Sequence, residues 1–188
     1  MSDDNETARY LDRVAHLVAN TPREPIYHVA SQMYTRWQLG AAFLTCGNGG
    51  SAATASHLVC DLTKATRHEG RKTVRALCLT DNMASLTAWA NDDDYEHALA
   101  EQVRSLGRAG DVLIAISGSG NSPNILHAVK AARAHSILVV ALTGQGGQLE
   151  PLADLAIVVP SYEMAAIEDC HMAICHALTN NLRDRIAL

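Results

Sequence analysis

The stretch CGNGGSAATASHLVCDL (46–62) decides how the chain is read. It follows the apolar run AAFLTC (41–46), so a glycine-rich turn stands between a strand and a helix. Glycine lets backbone amides approach an anion closely, and a helix N-terminus adds partial positive charge. Asn48, Gly49, Gly50 and Ser51 are therefore candidates to hold a phosphate-bearing ligand. His57 and Asp61 follow at a spacing of i, i+4, which puts them on one face of the helix. That pattern suits a metal pair or an acid–base pair. It also suits a helix with one buried and one exposed polar residue.

The same strand–loop–helix grammar recurs outward from this point. Apolar strands are predicted over 73–79, 111–117, 137–143 and 155–160. Helical segments are predicted over 51–66, NMASLTAWAN (82–91), YEHALAEQVRSLG (95–107), the stretch ending at His135, and 163–185. Apolar strands alternating with helices imply an α/β fold with a parallel sheet covered on both faces. Ligands of such sheets bind beyond the carboxyl ends of the strands. Two further helices, 5–20 and 25–39, are separated by TPREP and precede the first strand. They read as an N-terminal arm spanning 1–40, with Tyr10, Leu11, Val14, Leu17 and Val18 on one face. No linker or repeat interrupts the chain, so residues 1–188 read as one domain.

A second loop resembles the first. GSGNSPN follows the strand 111–117 and leads into a helix. It offers Ser117, Ser119 and Ser122 without a lysine, so it is not a P-loop. GNGGSA has Ala52 where a dinucleotide fingerprint wants its third glycine, and no acidic residue ends the next strand. One such loop could be only a tight turn. Two at corresponding strand ends argue for a shared ligand.

Composition narrows the classes. The 188 residues carry 20 Asp and Glu against 15 Lys and Arg, a formal charge of −5, with no basic block. Nucleic acid binding needs a Lys/Arg surface, which is not visible. No apolar run approaches a membrane span, and the acidic start MSDDNETARY is not a secretory signal. Five cysteines, 46, 60, 78, 170 and 175, sit in mostly apolar surroundings and read as reduced thiols of a cytoplasmic protein. In IEDCHMAICH (167–176) the two cysteines are five apart, a poor zinc spacing. His171 reads either as a core histidine or as a polar group of the site.

Taken in order, CGNGGSAATASH, LTAWANDDDY, GDVLIAISGSGNSPN, ALTGQGG and IEDCHMAICH resemble the sugar isomerase (SIS) domain, and within it the phosphoheptose isomerases. The resemblance covers about residues 25–185. It implies a three-layer α-β-α sandwich on a five-stranded parallel sheet, assembled as a homotetramer with active sites at subunit interfaces. It implies that Ser117, Gly118, Ser119 and Ser122 hold a sugar phosphate, with threonine usual where this chain has Gly118. Asn48, Gly49, Gly50 and Ser51 would line the sugar side, with Asn91 and Asp92 near the substrate.

The resemblance also implies a quartet, His57, Asp61, Glu168 and His176, which in some members binds zinc, one ion per subunit. The chain departs twice: Asp61 stands for a glutamate and Glu168 for a glutamine. Asp61 would be the base and His176 the acid of an aldose–ketose isomerisation through an enediol, with Glu168 a substitute base. Sedoheptulose 7-phosphate is the implied substrate, with another phosphosugar isomerised by the same chemistry as the runner-up. Glu168 and His176 are eight residues apart, about 12 Å along one helix. Either the helix begins after Glu168 or a metal site joins two subunits. The rival class is a non-catalytic SIS module similar to the DnaA initiator-associating protein, which lacks the acid–base pair retained here.

Overall fold

The computed structural model describes residues 3–188, with side chains described from residue 5. Helices α1 (Asp3–Asn20) and α2 (Arg23–Gln38) come first, then β1 (Ala42–Cys46) and α3 (Gly50–Lys64). Next are β2 (Arg75–Cys78), α4 (Met83–Asp92), α5 (Ala98–Leu106) and β3 (Val112–Ser117). The chain continues through α6 (Pro123–Ala134), β4 (Leu138–Thr143), α7 (Leu149–Leu152), β5 (Leu155–Val158) and α8 (Met164–Ala187).

The five strands form one parallel sheet in the order β2-β1-β3-β4-β5. Side chains alternate across it, as a period of two requires. In β3, Val112, Ile114 and Ile116 join the core beneath α2, α3 and α8. Leu113 and Ala115 join the core beneath α5 and α6. Both faces are therefore apolar, the sheet is the middle of three layers, and the strands read as continuous hydrophobic runs.

The chain leaves β1 in one direction to form β2 and then returns to the other side of β1 to form β3. The order thus reverses between β1 and β3, and such a switch point opens a crevice at the carboxyl ends of the strands. Both glycine/serine loops leave from these two strands.

The N-terminal helices differ from expectation in one respect. Leu11 remains 63% exposed, while Leu17 and Val18 pack against the core. Helix α1 lies against α8 rather than in a closed core, and its hold is partly polar. Tyr10 Oη donates to Asp169 at 2.5 Å, and Arg13 pairs with Glu163 at 3.2 Å. Four cysteines are buried, while Cys60 is exposed on α3. Burial pushes the Cys46 and Cys175 thiols up to about 12, so both stay protonated.

Candidate active site

The first loop closes through Gly49, whose φ of 53° favours glycine and ends the strand in a sharp turn. Helix α3 starts at Gly50, where a Cβ would collide with the Glu168 carboxylate. The glycine thus lets α8 approach the loop. The second loop turns through Gly120 at φ 64° and enters α6 with Pro123 in the first helical turn.

Between the loops lies a cavity of about 170 Å³. Asn48 and Ser51 line it from the first loop, and Ser117, Gly118, Ser119 and Ser122 from the second. Met164 and Glu168, from the start of α8, close it. The serine oxygens are already acceptors within the loop. Gly120 N–H donates to Ser117 Oγ and Asn121 N–H to Ser119 Oγ, both at 3.2 Å. The Ser119 hydroxyl hydrogen is left to donate outward, and Ser117 and Ser122 Oγ, 3.4 Å apart, share one donor between them and leave the other free, which is what an anion needs. A larger cleft of about 310 Å³ lies between the first two helices and α8; its lining is mainly apolar, with Val18, Ile26, Ala173 and Ile174 beside Thr21, Arg23 and Tyr27.

The second cluster lies further along α3 and α8. His57 Nε2 and His176 Nε2 are 3.0 Å apart. Asp61 Oδ2 is 3.4 Å from His57 Nε2 and 3.6 Å from His176 Nε2. These three atoms form a nearly equilateral triangle. Around a tetrahedral zinc with bonds of 2.0–2.1 Å, neighbouring ligand atoms lie about 3.3–3.4 Å apart. Two nitrogens and one carboxylate oxygen at this spacing fit one face of such a site. Among the described residues, no other group of three histidine, cysteine or acidic side chains converges in this way.

Glu168 is not the fourth member of that triangle within one chain. Helix α8 is continuous from Met164, which removes the option that it begins after Glu168. The carboxylate lies instead against Gly50, beside the serine cavity. Asn91 and Asp92 lie at the end of α4, exposed and bonded to each other at 2.7 Å, and do not line the cavity. His171 is fully buried, and neither ring nitrogen has a hydrogen-bond partner of acceptable geometry. Burial lowers its pKa to about 4, opposed in part by the backbone of Thr143, so it is a neutral core histidine.

Two polar residues at the site escaped the sequence reading. Asn124 and Tyr95 both bond Asn48, from 76 and 47 residues away. Asn124 lies inside the GSGNSPN motif, and its polarity on a buried helix turn was the available signal.

Comparison with known proteins shows the family. Residues 8–144 match the SIS domain model. The phosphoheptose isomerase of Paramagnetospirillum magneticum is 38% identical over 180 residues, 95% of this chain and 93% of that protein. The chain belongs to the SIS-domain family and, within it, to the phosphoheptose isomerases. The phosphoheptose isomerase GmhA of Neisseria gonorrhoeae superposes with a TM-score of 0.89 at 34% identity, covering 98% of this chain and all (100%) of that one. A phosphoheptose isomerase from Francisella tularensis gives the same TM-score, 0.89, at 32% identity and 98% coverage of this chain.

Proposed function

We propose that this chain isomerises sedoheptulose 7-phosphate to D-glycero-D-manno-heptose 7-phosphate through an enediol. The observation that carries the reading is the placing of a serine-lined anion cavity and a His–Asp–His cluster on the same two helices. From Ser51 to His57 along α3 is a rise of about 9 Å, and from Glu168 to His176 along α8 about 12 Å. A seven-carbon sugar is about that long, so phosphate at one end leaves C1 and C2 near the other. Serine hydroxyls and loop amides anchor the phosphate and orient the chain, the positional advantage that lowers a proton-transfer barrier.

Asp61 takes the proton next to the carbonyl, and His176 serves the oxygen. Asp61 meets both rings through Oδ2, which leaves Oδ1 for the transferred proton. Glu168, beside the phosphate cavity, accepts hydrogen bonds from sugar hydroxyls and is the second candidate base. Its negative charge disfavours a direct contact with phosphate.

His57, Asp61 and His176 would hold a zinc ion, one per subunit, and His176 would then act as the acid only in the metal-free site, because one Nε2 cannot both ligate and donate a proton. When bound, such an ion supplies Lewis acidity at the substrate oxygen. A fourth ligand would come from another subunit, with Glu168 the candidate. Helix α4 supports an assembly with active sites at subunit interfaces. It has no buried residue, and Met83 and Trp89 lie exposed upon it next to Asn91 and Asp92. A homotetramer would cover such a face. No helix among the described residues is long and apolar enough to cross a membrane, in keeping with a cytoplasmic enzyme.

Purified protein incubated with sedoheptulose 7-phosphate and followed by NMR should yield the aldose phosphate. Binding without any product would favour the non-catalytic SIS reading.

A further inference from the structure

Asn48 is held in a way that the cavity alone does not explain. Its Nδ2 donates to Asn124 Oδ1 at 2.9 Å, and Asn124 Nδ2 donates back to Asn48 Oδ1 at 2.9 Å. Tyr95 Oη donates to the same Asn48 Oδ1 at 2.8 Å. Asn124 is the second residue of α6 and only 2% exposed, so its side of this amide pair is shielded from water, while Asn48 is half-buried. It ties the loop after β1 to the helix after β3, across the switch point where the cavity opens.

An asparagine amide has two acceptor lone pairs and two donor hydrogens. On Asn48 both lone pairs are engaged, one by Asn124 and one by Tyr95. One of the two Nδ2 hydrogens is engaged by Asn124. The remaining capacity is a single N–H donor, on a side chain that lines the cavity. We infer that Asn124 and Tyr95 are positioning residues that lock Asn48 to present this one N–H to an oxygen of the bound phosphosugar. The chemistry favours that orientation. Phosphate, hydroxyl and enediolate oxygens all accept, whereas a free amide carbonyl facing them would repel. A donor fixed beforehand also costs no reorganisation when negative charge develops.

The inference rests on the reading of this site as a phosphosugar isomerase, and the experiment separates the two. Tyr95→Phe keeps the ring and removes only the hydroxyl. It should lower kcat/KM about five- to tenfold, the scale of one net hydrogen bond. In an Asn48→Ala background the same change should cost less than about twofold, because a positioning residue has nothing left to position. Asn124→Ala should follow the same non-additive pattern, and the milder Tyr95→Phe decides if that variant folds poorly.

A second readout needs no turnover. The Asn48 side-chain amide resonance, identified by its loss in Asn48→Ala, should shift on adding sedoheptulose 7-phosphate. Its protons should exchange faster with water in Tyr95→Phe. Wild-type protein without turnover would overturn the isomerase reading and leave the amide measurement to decide this one. Equal cost of Tyr95→Phe in both backgrounds, no cost at all, or an Asn48 amide indifferent to Tyr95→Phe and to ligand would overturn the positioning role.

Discussion

The serine cavity and the His–Asp–His cluster are built by different means, although α3 and α8 serve both. The cavity is a product of topology. Reversal of strand order between β1 and β3 leaves two loop ends facing each other, and small residues there expose amides and hydroxyls. The cluster is a product of side chains meeting across two packed helices, one residue from α8 and two from α3. A cavity of the first kind tolerates the loss of one donor, because several share the load. A cluster of the second kind has three members, and in the proposed reading each has its own task, so each loss would remove one. Substitutions at the cluster should therefore act on rate, and those at the cavity on affinity.

The sharpest test of that division is Asp61→Asn, which keeps the shape and removes the basicity. It should lower kcat about 10²–10⁴-fold, the usual contribution of a positioned acid or base, with little change in substrate affinity. Asp61→Glu, which restores the missing methylene, should keep activity or raise it. Solvent exchange of the substrate proton, followed by NMR in D₂O, is the measurement. If Asp61→Asn retains metal and exchanges at the wild-type rate, the base lies elsewhere, and Glu168→Gln becomes the variant to measure.

Metal content separates the two regions next. Purified protein loaded with zinc should bind one ion per subunit by elemental analysis. The double variant His57→Ala, His176→Ala should lose it, and Ser119→Ala should keep it. Zinc unchanged in the double variant would place the ion outside the cluster.

The cavity was more legible in the sequence than the cluster for the same physical reason. A phosphate loop is a local pattern: apolar run, glycines, hydroxyls, helix. GSGNSPN is therefore legible from its own residues as a turn into a helix beside a cavity, as are the buried strands β3 and β4, whose apolar runs are nearly uninterrupted. Edge strand β2 is expected over 73–79 but spans only Arg75–Cys78, the four residues that pair with Ala42–Thr45 of β1. The four-residue α7 is too short for periodicity to reveal. For Glu168, helix arithmetic said only that it stands far from His176; which neighbour it meets depends on Gly50, 118 residues earlier. Asn48 with Tyr95 and Asn124 is likewise a fact of tertiary contact.

Between the two regions, on the inward side of the same helix, His171 tests whether α8 is held by apolar packing. Its pKa near 4 lies below the unfolded value of about 6.5. The unfolded chain therefore binds the proton first. Stability should be complete above about pH 6.5 and fall as the pH drops toward 4. The loss is roughly 3 kcal/mol at most for this one group. His171→Leu should flatten that part of the pH profile in urea titrations, while leaving zinc content and kcat at neutral pH near wild type. A profile unchanged by the substitution would mean that His171 keeps its proton when folded, and that a polar partner reaches it.

The smallest expected effect is at the anchor. Ser119 is exposed at the cavity mouth and already accepts from Asn121 N–H, so its own hydroxyl hydrogen is what a phosphate would gain. Ser117, Ser122 and the loop amides remain when it is removed. Ser119→Ala should therefore weaken sedoheptulose 7-phosphate by about tenfold, near the lower end for a hydrogen bond to a charged group. The unphosphorylated sugar should lose nothing comparable, because it brings no anion to the loop. Ser119→Thr restores a hydroxyl and should recover most of the affinity, which separates loss of the donor from loosening of the turn. Calorimetry with both ligands decides. Equal losses for phosphorylated and unphosphorylated sugar would move the phosphate away from this loop, and with it the assignment of C1 and C2 to the Asp61 end.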